Sequence, residues 1–276
     1  MKRNPHLKYI ISSSGGNAGL AAAYASRETG LEAHVFCPQS TDPRVVEKLR
    51  SFGASVEVVG KDWNEANGRA MEFMDEMKGM HGVDSCLFVH PFDHELIWKG
   101  HSTLVNEIYD ANKIDPDVIA CCVGGGGLCA GIIEGLARRG KNPKIIAVET
   151  SGAASFNAAT LNGWKPVLID EICTIATSLG ARSVSENFLK KCLDYGTENV
   201  ESIVVEDLDA LNAVIEFCND ERFLVEPACG ATLSLMYSEK VRDRVIGSKV
   251  KSVLIVVCGG SGVSLEKVNG WLSSLK

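Results

Sequence analysis

Short apolar runs alternate with stretches of helical periodicity along almost the whole chain. The apolar runs are rich in Val, Ile and Cys, which is typical of buried strands. They predict strands at 8–12, 33–37, 55–59, 86–89, 118–123, 144–148, 202–205 and 252–257. The stretches between them predict helices at 17–28, 43–52, 63–77, 95–112, 128–138, 153–161, 186–193, 207–219, 229–241 and 265–275.

This order of elements indicates an α/β fold. Strands that alternate with helices form open, mostly parallel sheets with helices on both faces. Two such series follow one another, and 276 residues are enough for two domains. The sequence therefore predicts a small α/β domain at 1–100 and a larger one at 101–276, with 151–200 the least regular region.

Composition and charge narrow the possible partners. The chain is 45% hydrophobic and 23% charged, which is ordinary for a globular protein. A net charge of −7 without a basic stripe argues against nucleic acid as a partner.

No apolar run approaches the roughly 20 residues that a membrane span needs. Ten cysteines without a CxxC pair lie mostly in apolar runs, so we expect free thiols and a cytoplasmic protein.

Candidate chemistry concentrates in three turns that follow predicted strands, where parallel sheets bind ligands. The first turn, Ser-Ser-Ser-Gly-Gly-Asn at 12–17, offers hydroxyls, an amide and backbone N–H groups at a helix N-terminus. Such a cradle suits a carboxylate. Helix capping would explain one serine of this turn, although not the whole cluster.

The second turn consists of four glycines at 124–127, and the third runs from 258 to 262. Consecutive glycines cost conformational entropy, but they let the backbone and the next helix N-terminus approach a phosphate. Gly125, Gly127 and Ala130 also fit a loose dinucleotide-binding pattern, with Glu149 where a ribose-binding acid would stand. The third turn is equally well explained as a ligand site or as a turn beside a buried thiol.

Seven longer segments, three of which contain these turns, are distributed along essentially the whole chain. They read SSSGGNAGLAAAYA, HPFDHELIWKGHSTLVNEI, VGGGGLCAG, ETSGAASFNAA, SLGARSV, LVEPACGA and VVCGGSGVSL. In this order they resemble the L-serine/L-threonine dehydratase family, in particular the animal serine dehydratases and their serine dehydratase-like branch. The resemblance implies the fold-type II architecture of enzymes that use pyridoxal 5'-phosphate (PLP), similar to the tryptophan synthase β subunit, and a homodimer.

The resemblance also implies residue roles. The loop that holds the substrate carboxylate is matched by Ser14, Gly15, Gly16, Asn17 and Ala18. Asn17 matches the asparagine bonded to the PLP ring hydroxyl, and Cys258 matches the residue that faces the pyridine nitrogen. The phosphate cradle is matched by Gly124, Gly125, Gly126, Gly127 and Leu128. A site for a monovalent cation such as K⁺ is matched by Gly124, Glu149, Ala153, Ser178, Leu179 and Ala181.

The implied activity is a lyase reaction of amino-acid catabolism. The α-proton is removed and the β-hydroxyl expelled, so that L-serine gives pyruvate and ammonia and L-threonine gives 2-oxobutanoate and ammonia. A thiol is a weak hydrogen-bonding group, so Cys258 should leave the pyridine nitrogen neutral. PLP with a neutral pyridine nitrogen withdraws electrons from the substrate only weakly, which suits prompt loss of the β-hydroxyl.

One family feature is missing from this sequence. The family carries the lysine that anchors PLP in a Ser-Phe-Lys-x-Arg-Gly segment before the serine turn, and no such segment occurs here. Lys2 and Lys8 lack the flanking residues, so no catalytic lysine is assigned. We expect an N-terminally truncated chain, from a gene-model truncation or a shortened isoform, with turnover reduced by orders of magnitude.

Two other functions stay open at this point. The first is a catalytically inactive PLP- or amino-acid-binding paralogue, such as a regulatory subunit. The second is a nicotinamide dinucleotide-binding protein, suggested by Gly125, Gly127 and Glu149. The dinucleotide hypothesis leaves both the serine turn and the Cys258 turn unexplained.

Overall fold

A computed structural model of the chain describes residues 4–61, 63–111, 114–245 and 250–275. Lys2 lies outside these described residues. The chain divides into two compact units, Met1–Pro91 and Phe92–Lys276, and each unit is described by itself.

The first unit contains a four-stranded parallel sheet in the order β3-β2-β1-β4. Its strands are β1 Tyr9–Ser12, β2 Glu32–Cys37, β3 Ser55–Val58 and β4 Cys86–Phe88, and its helices are α1 Asn17–Thr29, α2 Pro43–Ser51 and α3 Trp63–His81. Strand β1 is central and buried along its whole length, because Ile10 pairs with Ala33 on one side and Leu87 on the other. Separate apolar clusters, one including Leu20 of α1 and one including Met74 of α3, complete the core.

The second unit contains another four-stranded parallel sheet, in the order β7-β6-β5-β8. Its strands are β5 Val118–Cys122, β6 Lys144–Thr150, β7 Val200–Val205 and β8 Val253–Ile255. Its described helices are α4 Glu95–His101, α5 Thr103–Asn106, α6 Gly127–Arg139, α7 Ser155–Leu161, α8 Glu186–Tyr195, α9 Asp207–Glu221, α10 Pro227–Tyr237, α11 Glu239–Val245 and α12 Leu265–Ser274.

Strand β5 divides the core of the second unit in two. Alternate side chains of a strand point to opposite faces of the sheet. Ile119 and Cys121 therefore join the cluster formed with α6 and α8, whereas Val118 and Ala120 join the cluster formed with α10. Burial on both faces explains why this strand is a continuous apolar run in the sequence.

The two sheets share one topology. In each, the first strand is central, the next two strands extend the sheet on one side, and the fourth strand pairs with the first on its other edge. This is the arrangement in which a ligand binds beyond the carboxyl ends of the strands, at the point where the strand order reverses. The turn after β1 and the turn after β5 occupy this position in their respective units.

The predicted α/β fold with two open parallel sheets is confirmed, and each of the eight predicted strands is present. The helix predicted at 95–112 is wrong as a single element. It is interrupted at Ser102, where the backbone bonding changes to a three-residue spacing, from the Val105 N–H to the Ser102 carbonyl at 3.2 Å, and the Ser102 hydroxyl donates to the Lys99 carbonyl. Beyond α5 the backbone forms a π-helix, Glu107–Ala111, and Asn112 lies outside the described residues.

The helix predicted at 229–241 is also two helices. It begins earlier, at Pro227, where proline suits the first helical turn. The extended backbone of Ser238 then separates α10 from α11.

Two chemical features accompany this fold. All ten cysteines are free thiols. In the part of the chain that the structure describes, no helix combines the length and apolarity needed to cross a membrane.

Two glycines bring α6 close to α4 and α5. A Cβ atom at Gly131 would collide with His101 and would lie 2.7 Å from the Trp98 carbonyl oxygen. A Cβ atom at Gly135 would lie 2.7 Å from a methyl group of Val105 and 2.9 Å from the Ser102 carbonyl oxygen. At these two positions the backbone of α6 packs directly against α4 and α5, which leaves no room for a methyl group.

We therefore predict that Gly131→Ala destabilises the protein by about 1–3 kcal/mol, because overpacking outweighs the higher helix propensity of alanine. Gly270→Ala is the matched control, since Gly270 lies inside α12 with open space where a methyl group would stand. That control should gain up to about 1 kcal/mol. Urea denaturation midpoints at constant m-value measure both changes, and stabilisation by both substitutions would contradict the packing argument.

Candidate functional site

The turn after β1 begins with two buried serines. Ser12 is 1% exposed and Ser13 is fully buried, yet neither hydroxyl has a hydrogen-bond partner among the residues that the structure describes. Leaving a buried hydroxyl unpaired costs about 1–3 kcal/mol, so such groups are rare and often mark sites that a ligand completes. Helix α1 starts directly behind them, and its N-cap residue Gly16 has no side chain that could accept from the first-turn N–H groups.

Close packing fixes the backbone of this turn. The Ser14 hydroxyl accepts the N–H of Gly16 at 3.3 Å. A Cβ atom at Gly15 would lie 2.5 Å from the hydroxyl oxygen of Thr41 and 2.9 Å from the Cβ of Cys37. A Cβ atom at Gly19 would collide with the carbonyl oxygen of Ser14. The turn therefore needs small residues for its own packing, and a helix N-terminus whose N-cap glycine offers no side-chain acceptor favours an anion.

The four-glycine turn after β5 is enclosed by protein on several sides. A Cβ atom at Gly125 would enter the ring of Phe92, and one at Gly127 would lie 2.6 Å from the Phe92 carbonyl oxygen. Gly126 has a φ of 96°, a conformation that favours glycine, and the ring of Phe188 occupies its side-chain direction. Backbone atoms of Leu179 lie 3.2–3.4 Å from the corresponding position at Gly124.

Packing gives the glycines at 125–127 a second explanation beside phosphate binding, which stays a prediction. The glycines at 125–127 are required by the packing of the two phenylalanines, so their presence alone does not indicate phosphate. The helix N-terminus behind them carries the stronger indication. The N-cap of α6 is Gly126, which offers no side-chain acceptor, so the first N–H groups of α6 can serve an anion.

Phe92 and Asp93 hold this turn, a role that the sequence did not indicate. The indole N–H of Trp98 donates to the Phe92 carbonyl at 2.8 Å. The Ser185 hydroxyl donates to Asp93 at 2.6 Å, and the Ser185 N–H donates to the Gly125 carbonyl at 3.2 Å. A phenylalanine between proline and aspartate, ahead of a predicted helix, was the available signal.

The turn that carries Cys258 lies beside the four-glycine turn, because β8 pairs in parallel with β5. The Cys258 thiol forms hydrogen bonds with the thiols of Cys122 and Cys229. The hydrogen bond with Cys122, reinforced by desolvation, raises the pKa of Cys258 and keeps this thiol protonated at neutral pH. Among the described residues, no group of three or more His, Cys, Asp or Glu side chains is arranged to hold a metal ion.

The structure brings several of the predicted cation-site residues together. Gly124 lies against the backbone of Leu179, and the Ala181 N–H donates to the Leu179 carbonyl at 2.7 Å. The bond from the Val123 N–H to the Val148 carbonyl, 2.9 Å long, places the start of this turn beside Glu149. Ala153 is buried, whereas Ser178 is exposed. The cation itself stays a prediction.

Glu149 is a fully buried carboxyl group at the end of β6. Its two oxygens accept the N–H groups of Phe156 at 2.7 Å and Asn157 at 2.8 Å, so that it caps α7. Desolvation raises its pKa from 4.5 to about 7, against the opposing effect of these two hydrogen bonds. This geometry does not favour the dinucleotide hypothesis, because a fully buried carboxyl group is poorly placed to bind an exposed ribose.

Comparison with known proteins defines the class. The chain belongs to the pyridoxal-phosphate dependent enzyme family, whose sequence model matches residues 3–259. The resemblance to the serine dehydratases is confirmed by a human relative named serine dehydratase-like, 43% identical over 95% of this chain and 78% of that protein. The L-serine dehydratase of Dictyostelium discoideum is 39% identical over 97% of this chain and 75% of its own length.

A solved structure confirms the fold class. The fungal L-serine ammonia-lyase from Rhizomucor miehei matches with a TM-score of 0.86 and 33% sequence identity. The match covers 98% of this chain and 83% of that chain.

Glu149 gives a pH prediction. The folded protein holds this proton more tightly than the unfolded chain does, so the free energy of unfolding should fall as pH rises from 4.5 to 7 and then level off. The full loss corresponds to about 3 kcal/mol. Glu149→Gln should remove this fall, so that its stability relative to the unsubstituted protein increases between pH 5 and pH 8.

The measurement is urea unfolding at a series of pH values in a buffer without alkali cations. Glu206→Gln, at an exposed glutamate that precedes α9, is the control and should keep the unsubstituted pH profile. An identical pH profile for Glu149→Gln and the unsubstituted protein would refute the assignment.

Proposed function

We propose that this protein acts in the PLP-dependent α,β-elimination of L-serine to pyruvate and ammonia. The observation that carries this proposal is its identity with serine dehydratases along nearly the whole chain, 43% with the human relative and 39% with the Dictyostelium enzyme. The L-serine ammonia-lyase fold of the fungal match supports the same reaction.

The residues of the second unit fit PLP. The proposal assigns the phosphate to Gly124, Gly125, Gly126, Gly127 and Leu128, at the start of α6. The uncapped helix N-terminus supports this assignment, because it favours a dianion. Cys258 is assigned to the pyridine nitrogen, and its raised pKa supports a neutral hydrogen-bonding partner there. When bound, PLP supplies an electron sink for the α-carbon of the substrate.

The first unit is assigned to the amino acid. Its carboxylate would be held by Ser14, Gly15, Gly16, Asn17 and Ala18, and Asn17 would also bond the PLP ring hydroxyl. The hydroxyls of Ser12 and Ser13, which have no partner in the described part of the chain, support a polar ligand at this turn. No residue is assigned to α-proton transfer, because no lysine in this sequence matches the lysine motif of the family.

Finer parts of the proposal come from the same resemblance. L-threonine would be a second substrate, the protein would form a homodimer, and it would act in the cytoplasm. A monovalent cation would bind at Glu149 and the neighbouring carbonyl groups. The raised pKa of Glu149 supports the cation, since a positive charge there would stabilise the carboxylate that burial disfavours.

Turnover tests the reaction directly. With PLP and L-serine, pyruvate release is expected once a Ser-Phe-Lys-x-Arg-Gly segment is joined upstream in the same polypeptide, and D-serine is the negative control. The 276-residue chain without that segment should bind PLP and release pyruvate orders of magnitude more slowly. Absence of PLP binding and of pyruvate from both proteins would refute the proposed function.

The substrate turn gives a separate prediction. Ser14→Ala should weaken L-serine binding to the PLP-loaded protein by about tenfold, because a hydrogen bond to a charged carboxylate is lost. PLP affinity should change less than about twofold. Ser26→Ala in α1 is the matched control, since its hydroxyl donates to the Ala22 carbonyl at 2.8 Å, inside the helix. Isothermal titration with PLP and then L-serine measures both affinities, and equal L-serine affinities for the two variants would contradict the assignment.

A further inference from the structure

Glu226 is a buried glutamate that lies against the Cys258 turn. It is only 6% exposed and is the N-cap residue of α10. Its backbone N–H donates to the Gly259 carbonyl at 2.9 Å, and its carboxylate accepts the N–H of Gly262 at 2.5 Å. Both bonds run to the turn that follows β8. Buried carboxylates are costly unless they are hydrogen-bonded, so these bonds are strong constraints on the turn.

The turn is folded around this carboxylate. Gly260 has a φ of 89°, and a side chain there would run into the carboxyl group of Glu226. A Cβ atom at Gly262 would lie 3.0 Å from the same carboxylate oxygen. The ammonium group of Lys267 donates to the Gly262 carbonyl at 2.8 Å. The N–H of Gly262 is thus bonded to Glu226, and its carbonyl is bonded to Lys267.

A second residue of α10 holds the start of the turn. The Gly259 N–H donates to the Cys229 sulfur at 3.2 Å. Glu226 and Cys229 are three residues apart, hence on neighbouring positions of the helix surface. The N-terminal end of α10 thus fixes the turn at Gly259 and at Gly262, on the chain just beyond Cys258.

We propose that Glu226 is a positioning residue, whose carboxylate holds the 258–262 turn in the conformation that sets the Cys258 thiol. The expected effect on PLP rests on the proposed function, whereas the effect on the thiol does not. A carboxylate suits this role better than an amide because an ionised acceptor forms the stronger hydrogen bond to a backbone N–H.

Thiol reactivity tests the proposal without any ligand. Iodoacetamide labelling, followed by peptide mass mapping, reports each cysteine separately. Cys258 is exposed, so its reactivity is limited by its hydrogen bond with Cys122 and not by access of the reagent. Glu226→Ala should label Cys258 about tenfold faster, because a released turn no longer holds the thiol in that hydrogen bond. The exposed Cys173 serves as an internal reference and should label at an unchanged rate. Buried Cys121, Cys129 and Cys192 should stay protected.

The pH dependence of labelling adds a readout that a general loss of structure would not give. Release of the turn separates Cys258 from Cys122, whose hydrogen bond raises the pKa of Cys258. The labelling profile of Cys258 in Glu226→Ala should therefore shift to lower pH. Glu226→Gln retains an acceptor oxygen and should give an intermediate rate, and Glu206→Ala, at another helix N-cap, should match the unsubstituted protein.

PLP affinity is the second measurement. Glu226→Ala should raise the dissociation constant for PLP about tenfold, with partial recovery in Glu226→Gln. Unchanged labelling of Cys258 in both variants would overturn the proposal, as would equal acceleration at Cys121, Cys129 and Cys192. Faster labelling of Cys258 alone, in a protein that binds no PLP, would support the positioning role and refute the proposed function.

Discussion

The pairing of β5 with β6 on one edge and β8 on the other is the constraint on which the second unit depends. Parallel register brings the carboxyl ends of these three strands to one edge of the sheet. The four-glycine turn, Glu149 and Cys258 are far apart in sequence and become neighbours only through this pairing. The same strand order in the first unit places the serine turn at the equivalent point beside β1.

The residues of these turns are constrained by the packing of the protein itself, whether or not a ligand is bound. Thr41 occupies the space that a side chain at Gly15 would need, and Phe92 and Phe188 do the same around the four glycines. Binding and packing therefore use the same residues. Glu149 also combines two roles. Its carboxylate caps α7, and it lies at the edge of the sheet where the family resemblance implies a cation.

Local pattern was sufficient for the strands and turns, because apolar runs and glycine clusters carry their information within a few residues. It was insufficient where a distant contact decides the outcome. The 258–262 turn folds around Glu226, which is 36 residues from Gly262, and no local pattern of the sequence indicates this contact. The interruption at Ser102 is local, but hydrophobic periodicity does not reveal it either. Residue roles toward PLP came from the resemblance and stay predictions.

The fit of Phe92 and Phe188 against the four-glycine turn constrains how this region can evolve. A larger residue in place of one of the glycines would require a smaller residue in place of the phenylalanine that it faces. In addition, Gly126 has a backbone conformation that few other residues adopt. Single substitutions at either partner would create a clash or a void. Descendants of this sequence should therefore exchange these positions in pairs or keep them together.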